Sequence, residues 1–460
     1  MPPVKTKIVR DLTSGSVTWT MISFAAPLFL SSLLQTLYNI TDMIIIGHTV
    51  GRDGLGAVSI GTDILHFFCF AAMGFSNAGQ VIISQLIGAG MQDRVRKTIG
   101  TLFSFLGLTS LIISLGGFLL LDQILHWVNT PPEAYEMAKS YMGICFTGMI
   151  FLYGYNVVSA ILRGMGDSRH PLLFVAVAVV LNIILDLLFV IVFKWGLFGV
   201  ALATVLSQAV SFIWSLIFLY QNREQFGFSF RPCDFRIDKE ALMPLLKLGI
   251  PMLIQSAAIS FSMLFVNSYI NAYGVVASAM TGVGNKLSSI VNIVNVALST
   301  AGSSMIGQCV GAEKYDRVPK VLRVSFTINI LISVLAGTVT LIRPEWVFGI
   351  FTKDPDVLAM SLTYIPVLLL LFGGGALRPP MMALINGSGN FNLNLAVALL
   401  DGVLMRICLS LLLGFTFGLG VHGFWYGHAL AGFTPFVIGG VYFLTGRWRT
   451  RKYIIGKNSR

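Results

Sequence analysis

Apolar residues in this chain come in long runs. Twelve such runs, each bounded by charge, Gly or Pro, lie near residues 17–46, 55–84, 97–121, 136–162, 171–193, 197–220, 248–272, 276–305, 320–342, 357–385, 392–414 and 421–445. Each meets the roughly 20 residues that a helix needs to cross a bilayer. The first, second and eighth exceed a minimal span, so tilt or interfacial turns are expected there. Lys5, Lys7 and Arg10 precede a run far longer than the apolar core of a signal peptide, without a small-residue cleavage pattern. That run reads as the first spanning helix, not as a cleavable leader.

The basic residues set an orientation. With the N-terminus in the cytoplasm, the tails and the loops after the even-numbered helices hold 23 Lys and Arg; the loops after odd-numbered helices hold five. Lys286, Arg378 and Arg406 fall within helices. This asymmetry follows the positive-inside rule and puts both termini in the cytoplasm. The most charged connection, Gln221 to Lys247, falls at mid-chain and reads as a cytoplasmic linker.

The two halves repeat. Ser84–Val95 (SQLIGAGMQDRV) and Gly307–Val318 (GQCVGAEKYDRV) match at six of twelve positions at an offset of 223. The same offset aligns Gly164 and Gly166 with Gly387 and Gly389, and an offset of 224 aligns Pro27 with Pro251 and Gly196/Gly199 with Gly420/Gly423. Six helices per copy means that both copies enter the membrane in the same sense. The predicted fold is therefore an all-α polytopic membrane protein of twelve transmembrane helices. Its two six-helix lobes are related by a pseudo-two-fold axis along the membrane normal. The predicted domains are an N-terminal lobe over 1–221, a linker over 222–247, and a C-terminal lobe with a basic tail over 248–460.

Composition narrows the function. Of 460 residues, 55% are hydrophobic and 11% charged, against about 25% charged in soluble domains. Soluble and disordered readings are excluded on that ground. The net charge of +11 is explained by cytoplasmic loops, and no nucleic-acid partner is implied. Five cysteines (Cys69, Cys145, Cys233, Cys309, Cys408) are an odd set without a CxxC or Cys/His cluster. Buried apolar thiols are expected for the four in apolar segments. No phosphate-binding motor loop, HExxH or G-x-S-x-G motif is present. A membrane-embedded enzyme would need such a convergent set, so the chain is expected not to be an enzyme. No cofactor is expected other than a coupling ion. His66 and His428 read as structural, and the sequons at Asn39 and Asn386 as chance matches.

Ionisable residues inside apolar helices must face the protein interior or a hydrated cavity. Gln35, Asn39 and Asp42 form a polar stripe on one face of the first helix. Asn182 and Asp186 lie one turn apart on the fifth, and Thr204 lies on the sixth. At about 1.5 Å per residue, Asp42, Asp186 and Thr204 all fall within roughly 10 Å of the outer ends of their helices. Two carboxylates, an amide and a hydroxyl at one level suit Na⁺, or a proton shared between the acids. The plainer alternatives are a loop-capping carboxylate at Asp42 and a structural hydrogen-bond partner at Asp186. Asp63 and Lys286 occupy equivalent positions in the two halves; they either pair between lobes or line hydrated surface separately. Asp401, Arg406 and Arg378 read as a neutralising structural cluster. Aromatic and Met positions such as Phe67, Phe68, Met73, Phe261 and Met263 offer an adaptable, cation-compatible wall for apolar cargo, although packing accounts for each singly.

Carried by these features, the sequence resembles the multidrug and toxic compound extrusion (MATE) family over nearly its whole length. The local motifs are APLFLSSLLQTLYNITDMIIIG on the first helix, ILRGMGDSRHP after the fourth, LNIILD on the fifth and GLFGVALATVLSQ entering the sixth. The resemblance implies export of organic, often cationic, compounds in exchange for Na⁺ or H⁺ across a prokaryotic cytoplasmic membrane, by a protein expected to be monomeric. In the DinF-like branch of the family the coupling site lies in the N-terminal lobe, and Asp42, Asn182, Asp186 and Thr204 match its positions. Asn156 on the fourth helix is a further candidate. The sequence departs from the NorM-like pattern of acids on helices 7 and 10: Gln255 is the nearest equivalent, and no acid lies between Val357 and Ile385. A second-lobe cation site of that type is not expected. The alternative function is a flippase for a lipid-linked anionic precursor, against which the scarcity of cations within helices argues.

Overall fold

The computed structural model describes residues 9–450, without the side chains of residues 52 and 53. Every regular element among these residues is helical. Twelve helices are long and apolar enough to span a membrane: α1 Val17–Thr49, α2 Gly54–Gly88, α3 Gln92–Leu119, α4 Pro132–Gly164, α5 Arg169–Val192, α6 Gly196–Gln221, α7 Lys239–Asn271, α8 Val275–Gly311, α9 Tyr315–Ile342, α10 Pro355–Gly387, α11 Phe391–Thr416 and α12 Val421–Leu444. All twelve coincide with the apolar runs. The largest departure is at α7, which begins nine residues before its expected start. Lys239, Glu240 and Lys247 there interrupt the apolar pattern without interrupting the helix.

The helices group into two units. Among the described residues, one holds Ala26–Gly249 with residues 9–10; the other holds Asp11–Ala25 with residues 250–450. The packing plan repeats. In the first unit α4 is central, against α2, α3 and α6; in the second α10 is central, against α8 and α9. Small residues permit these contacts, as is common between membrane helices. A Cβ added at Gly148 or Gly154 of α4 would lie 2.4 Å from Val205 or Phe212 of α6. In the second unit α12 lies directly on the backbone of α11: a Cβ at Gly427 would meet the Ser410 amide nitrogen at 2.3 Å.

The mid-chain linker belongs to the first unit. Phe228, Phe230 and Phe235 form a ring cluster with Phe103 of α3. Buried Asp234 accepts the Ser229 and Arg231 amides and pairs with Arg96 at 3.2 Å. Gly100 of α3 leaves room for the Asp234 carbonyl, which lies where a Cβ would stand. The segment before α1 belongs instead to the second unit. Gln308 accepts the Leu12 amide at 2.9 Å, Lys314 donates to the Thr13 hydroxyl at 2.8 Å, and Arg317 donates to the carbonyls of Ser14 and Gly15.

Two helices are not regular throughout. After Asp186, α5 widens into a π-helical turn over Leu187–Val192. α11 has two such turns, Leu400–Met405 and Leu412–Thr416. A π turn accommodates an inserted residue. The additional turn at Leu400–Met405 lies between glycine pairs aligned at 223 and pairs aligned at 224, and it accounts for that shift. All five cysteines are free. Cys309 is buried as expected, Cys69 and Cys145 are half-buried, and Cys408, in the spanning part of α11, is exposed.

Candidate functional site

α1 brings Asp42 and Tyr38, one turn apart, towards α5 and α6. Asp186 of α5 stands beside both Asp42 and Tyr38. It is fully buried, and neither carboxylate oxygen meets a protein donor in hydrogen-bond geometry. Asn182, one turn earlier on the same face, is 1% exposed, and its amide oxygen and nitrogen are equally without partners. Asp42 is half-buried and has one buried oxygen in the same condition. The Tyr38 and Thr204 hydroxyls share a hydrogen bond of 3.0 Å. Tyr141 of α4 lies within electrostatic range of Asp42.

Four expected residues, Asp42, Asn182, Asp186 and Thr204, thus converge in the first unit, on α1, α5 and α6. Asp186 is placed at the junction where α5 changes from α to π winding, a kind of irregularity that is concentrated at functional positions. No cationic side chain pairs with either acid among the described residues. Two carboxylates, an amide oxygen and two hydroxyls form an all-oxygen donor set, the type selected by hard cations. Buried polar atoms without partners are costly, and a bound cation or a proton would relieve that cost here.

The other three expected residues lie apart from this group. Gln35, Asn39 and Asn156 line an adjoining cavity of about 320 Å³, within the range of small-molecule sites. The Asn156 amide also donates to the Leu152 carbonyl at 2.8 Å. His66, Cys69, Met73 and Tyr155 contribute to the same wall, so Met73 takes the lining position that its pattern suggested. Phe68 and Phe75 pack instead, edge-on to Phe146 and Phe105. Tyr38 belongs to both places, as a cavity wall and as the partner of Thr204. Sequence reasoning missed it, although it is one turn before Asp42 on the face already marked by Gln35 and Asp42. Asp63 and Lys286 are both exposed on their own helices.

In the second unit, Arg378 of α10 and Arg406 of α11 both engage Asp401, at 2.6 Å and 3.1 Å. Arg406 also contacts the His428 ring at 3.2 Å. The expected structural cluster is present. The buried acid there is held by two guanidinium groups.

The MatE family model matches residues 27–188 and 251–431, one copy per unit. The chain belongs to the MATE family. Among its relatives, "Probable multidrug resistance protein YpnP" of Bacillus subtilis (strain 168) is 30% identical over 451 residues, covering 97% of this chain and 99% of the relative. "Multidrug export protein MepA" of Staphylococcus saprophyticus is 24% identical over 396 residues, covering 85% and 86%. Solved MATE structures share the fold. A MATE in complex with MaD3S superposes with a TM-score of 0.86 at 22% identity, covering 97% of this chain and 98% of that one. An outward-facing multidrug resistance MATE transporter gives 0.86 over 96% and 98%. This MATE protein is a multi-pass membrane transporter of small molecules and not an enzyme. The relatives carry multidrug-export names, which do not favour the flippase alternative.

Proposed function

We propose that this MATE protein exports amphiphilic organic cations in exchange for Na⁺ or H⁺, through a coupling site at Asp42 and Asp186. The observation that carries this reading is the pair of adjacent intramembrane carboxylates with no cationic partner, connected through Tyr38 to a cavity of drug-sized volume. The acids cannot both stay ionised and uncompensated in a medium of low polarity. They therefore take up a cation from the side to which they open. Asn182 and Thr204 supply neutral oxygens, and Tyr38 carries the change to the cavity wall because its hydroxyl binds Thr204. Substrate and ion each weaken the other's binding, and the weakening is reciprocal. In this reading the protein sits in a prokaryotic cytoplasmic membrane with both termini inside, works as a monomer, and belongs with DinF-like members of the family.

The test is efflux of ethidium from proteoliposomes with Na⁺ and pH gradients imposed separately, wild type beside Asp186→Asn. Gradient-driven efflux in the wild type is expected to fall in the variant to the level of empty liposomes. Full coupled transport by Asp186→Asn would overturn the site assignment.

A further inference from the structure

The second unit holds a buried charge that its own residues do not balance. Asp401 is fully buried within the π turn of α11, and Arg378 and Arg406 both pair with it. Each guanidinium offers five N–H donors. Arg406 is buried, spends one side of its fork on Asp401 and the other on His428, and leaves its Nε without a partner. Arg378 has a different environment. Its side chain is 24% exposed, and Asp401 is its only recorded partner among the described residues. A guanidinium can only donate, so the His428 nitrogen that Arg406 meets is an acceptor; two positive groups then face one negative group, and the excess of one charge lies within membrane-spanning helices.

Internal duplication sharpens the point. Past the extra π turn of α11, the offset of 224 carries Asn182 onto Arg406, Asp186 onto Ser410 and Thr204 onto His428. The same offset carries Asp42 onto Val266. The counterpart of the acidic site in the first unit therefore has no acid at equivalent positions, and has a guanidinium and an imidazole instead. One fold has been given opposite polarity in its two copies.

From this the geometry points to an anion-recognition site in the second unit, with Arg378 as its accessible donor, that takes the single carboxylate of an amphipathic organic anion or zwitterion. One net positive charge fits one monoanionic group. A polyanionic headgroup would need more cations than Arg378 and Arg406, which share Asp401, supply. The ligand must have an apolar body, because Arg378 lies well inside α10, nine residues before its end at Gly387. A planar guanidinium with an open edge gives a carboxylate two parallel N–H contacts, which a lysine would not. Arg378 precedes Pro379 and Pro380. Prolines donate no N–H, so carbonyls of the preceding turn of α10 are left without an intrahelical partner. The inference does not rest on the cation-exchange reading, which concerns the other unit.

The test uses radiolabelled octanoate and the purified full-length protein in a neutral detergent. Saturable binding is expected, displaced by unlabelled octanoate and not by octanol or octylammonium. Arg378→Gln leaves the Asp401–Arg406 pair balanced and so keeps the fold; its affinity for octanoate is expected to fall about tenfold or more, the effect of losing one partly exposed charge contact. Arg378→Lys restores the charge without the fork and is expected to recover part of the loss. Equal affinity in Arg378→Gln, displacement by octanol, or no saturable binding would each overturn the proposal.

Discussion

The two units solve the same packing problem with the same helices and then diverge at their buried charges. In the first, Asp42 and Asp186 stand side by side with no cationic partner among the described residues, and the Asp186 oxygens and the Asn182 amide have no protein hydrogen bond. In the second, one acid is held between two arginines. An under-satisfied site is where the proposed exchange would place a cation, because buried polar atoms without partners are costly. A site held together internally contributes to stability and exposes only what is left over. Duplication supplied two frames, and a few side chains decided which became responsive.

The sharpest way to break this contrast is to neutralise an acid in each unit and compare signs. Asp401→Asn strands two guanidinium groups and should destabilise the protein by about 3–5 kcal/mol, the cost of breaking a buried ion pair. Asp42→Asn removes one of two like charges and should leave the melting temperature unchanged or higher. Thermal unfolding of the two variants in one detergent decides it; a drop of equal size in both would mean that the N-terminal acids also act as structural partners.

A smaller effect is expected from the helix contacts. Gly427→Ala drives a methyl against the backbone of α11, which cannot move aside, and should cost about 2–3 kcal/mol. Gly148→Ala meets the side chain of Val205, which can change rotamer, and should cost about 1 kcal/mol. Urea or heat stability of the two variants gives the ranking, and the reverse order would show that backbone approach is not what fixes α11 against α12.

The smallest change is Tyr38→Phe. It removes one hydroxyl from the 3.0 Å bond with Thr204 and keeps the ring in the cavity wall. A loss of about 1 kcal/mol in coupling is expected, read as a severalfold rise in the ion concentration needed for half-maximal efflux, with substrate affinity unchanged. A parallel loss of substrate affinity would mean that Tyr38 serves the cavity and not the link.

Much of this was legible in the sequence because a bilayer imposes simple rules. Apolar runs marked all twelve helices, since a spanning helix must satisfy its own backbone and face hydrocarbon. Asp42, Asn182, Asp186 and Thr204 stood out because polar groups in such runs are expensive. What was not legible has physical causes. Tyr38 was hidden because a tyrosine in a membrane helix is ordinary until its hydroxyl is seen to have a partner. The π turns leave no compositional trace. Gln35 and Asn39 share a helical face with Asp42 yet line the cavity together with Asn156, and helical spacing reports only the face. The excess charge at Arg378 was missed because three ionisable residues spread over α10 and α11 read as neutralising until their pairing was visible. The start of α7 was lost because charged residues at an interface interrupt hydropathy and not the helix.

The segment ahead of α1 carries a consequence for the order of assembly. Leu12, Thr13, Ser14 and Gly15 find their partners at Gln308, Lys314 and Arg317, 296 to 303 residues later. The linker, by contrast, closes on α3 as soon as it is made. During synthesis the first unit can therefore fold while the second is still on the ribosome, yet the leading residues wait until α8 and the turn after it have emerged. Contacts so distant in sequence form late, and a segment made before α1 is fastened only once α8 is in place.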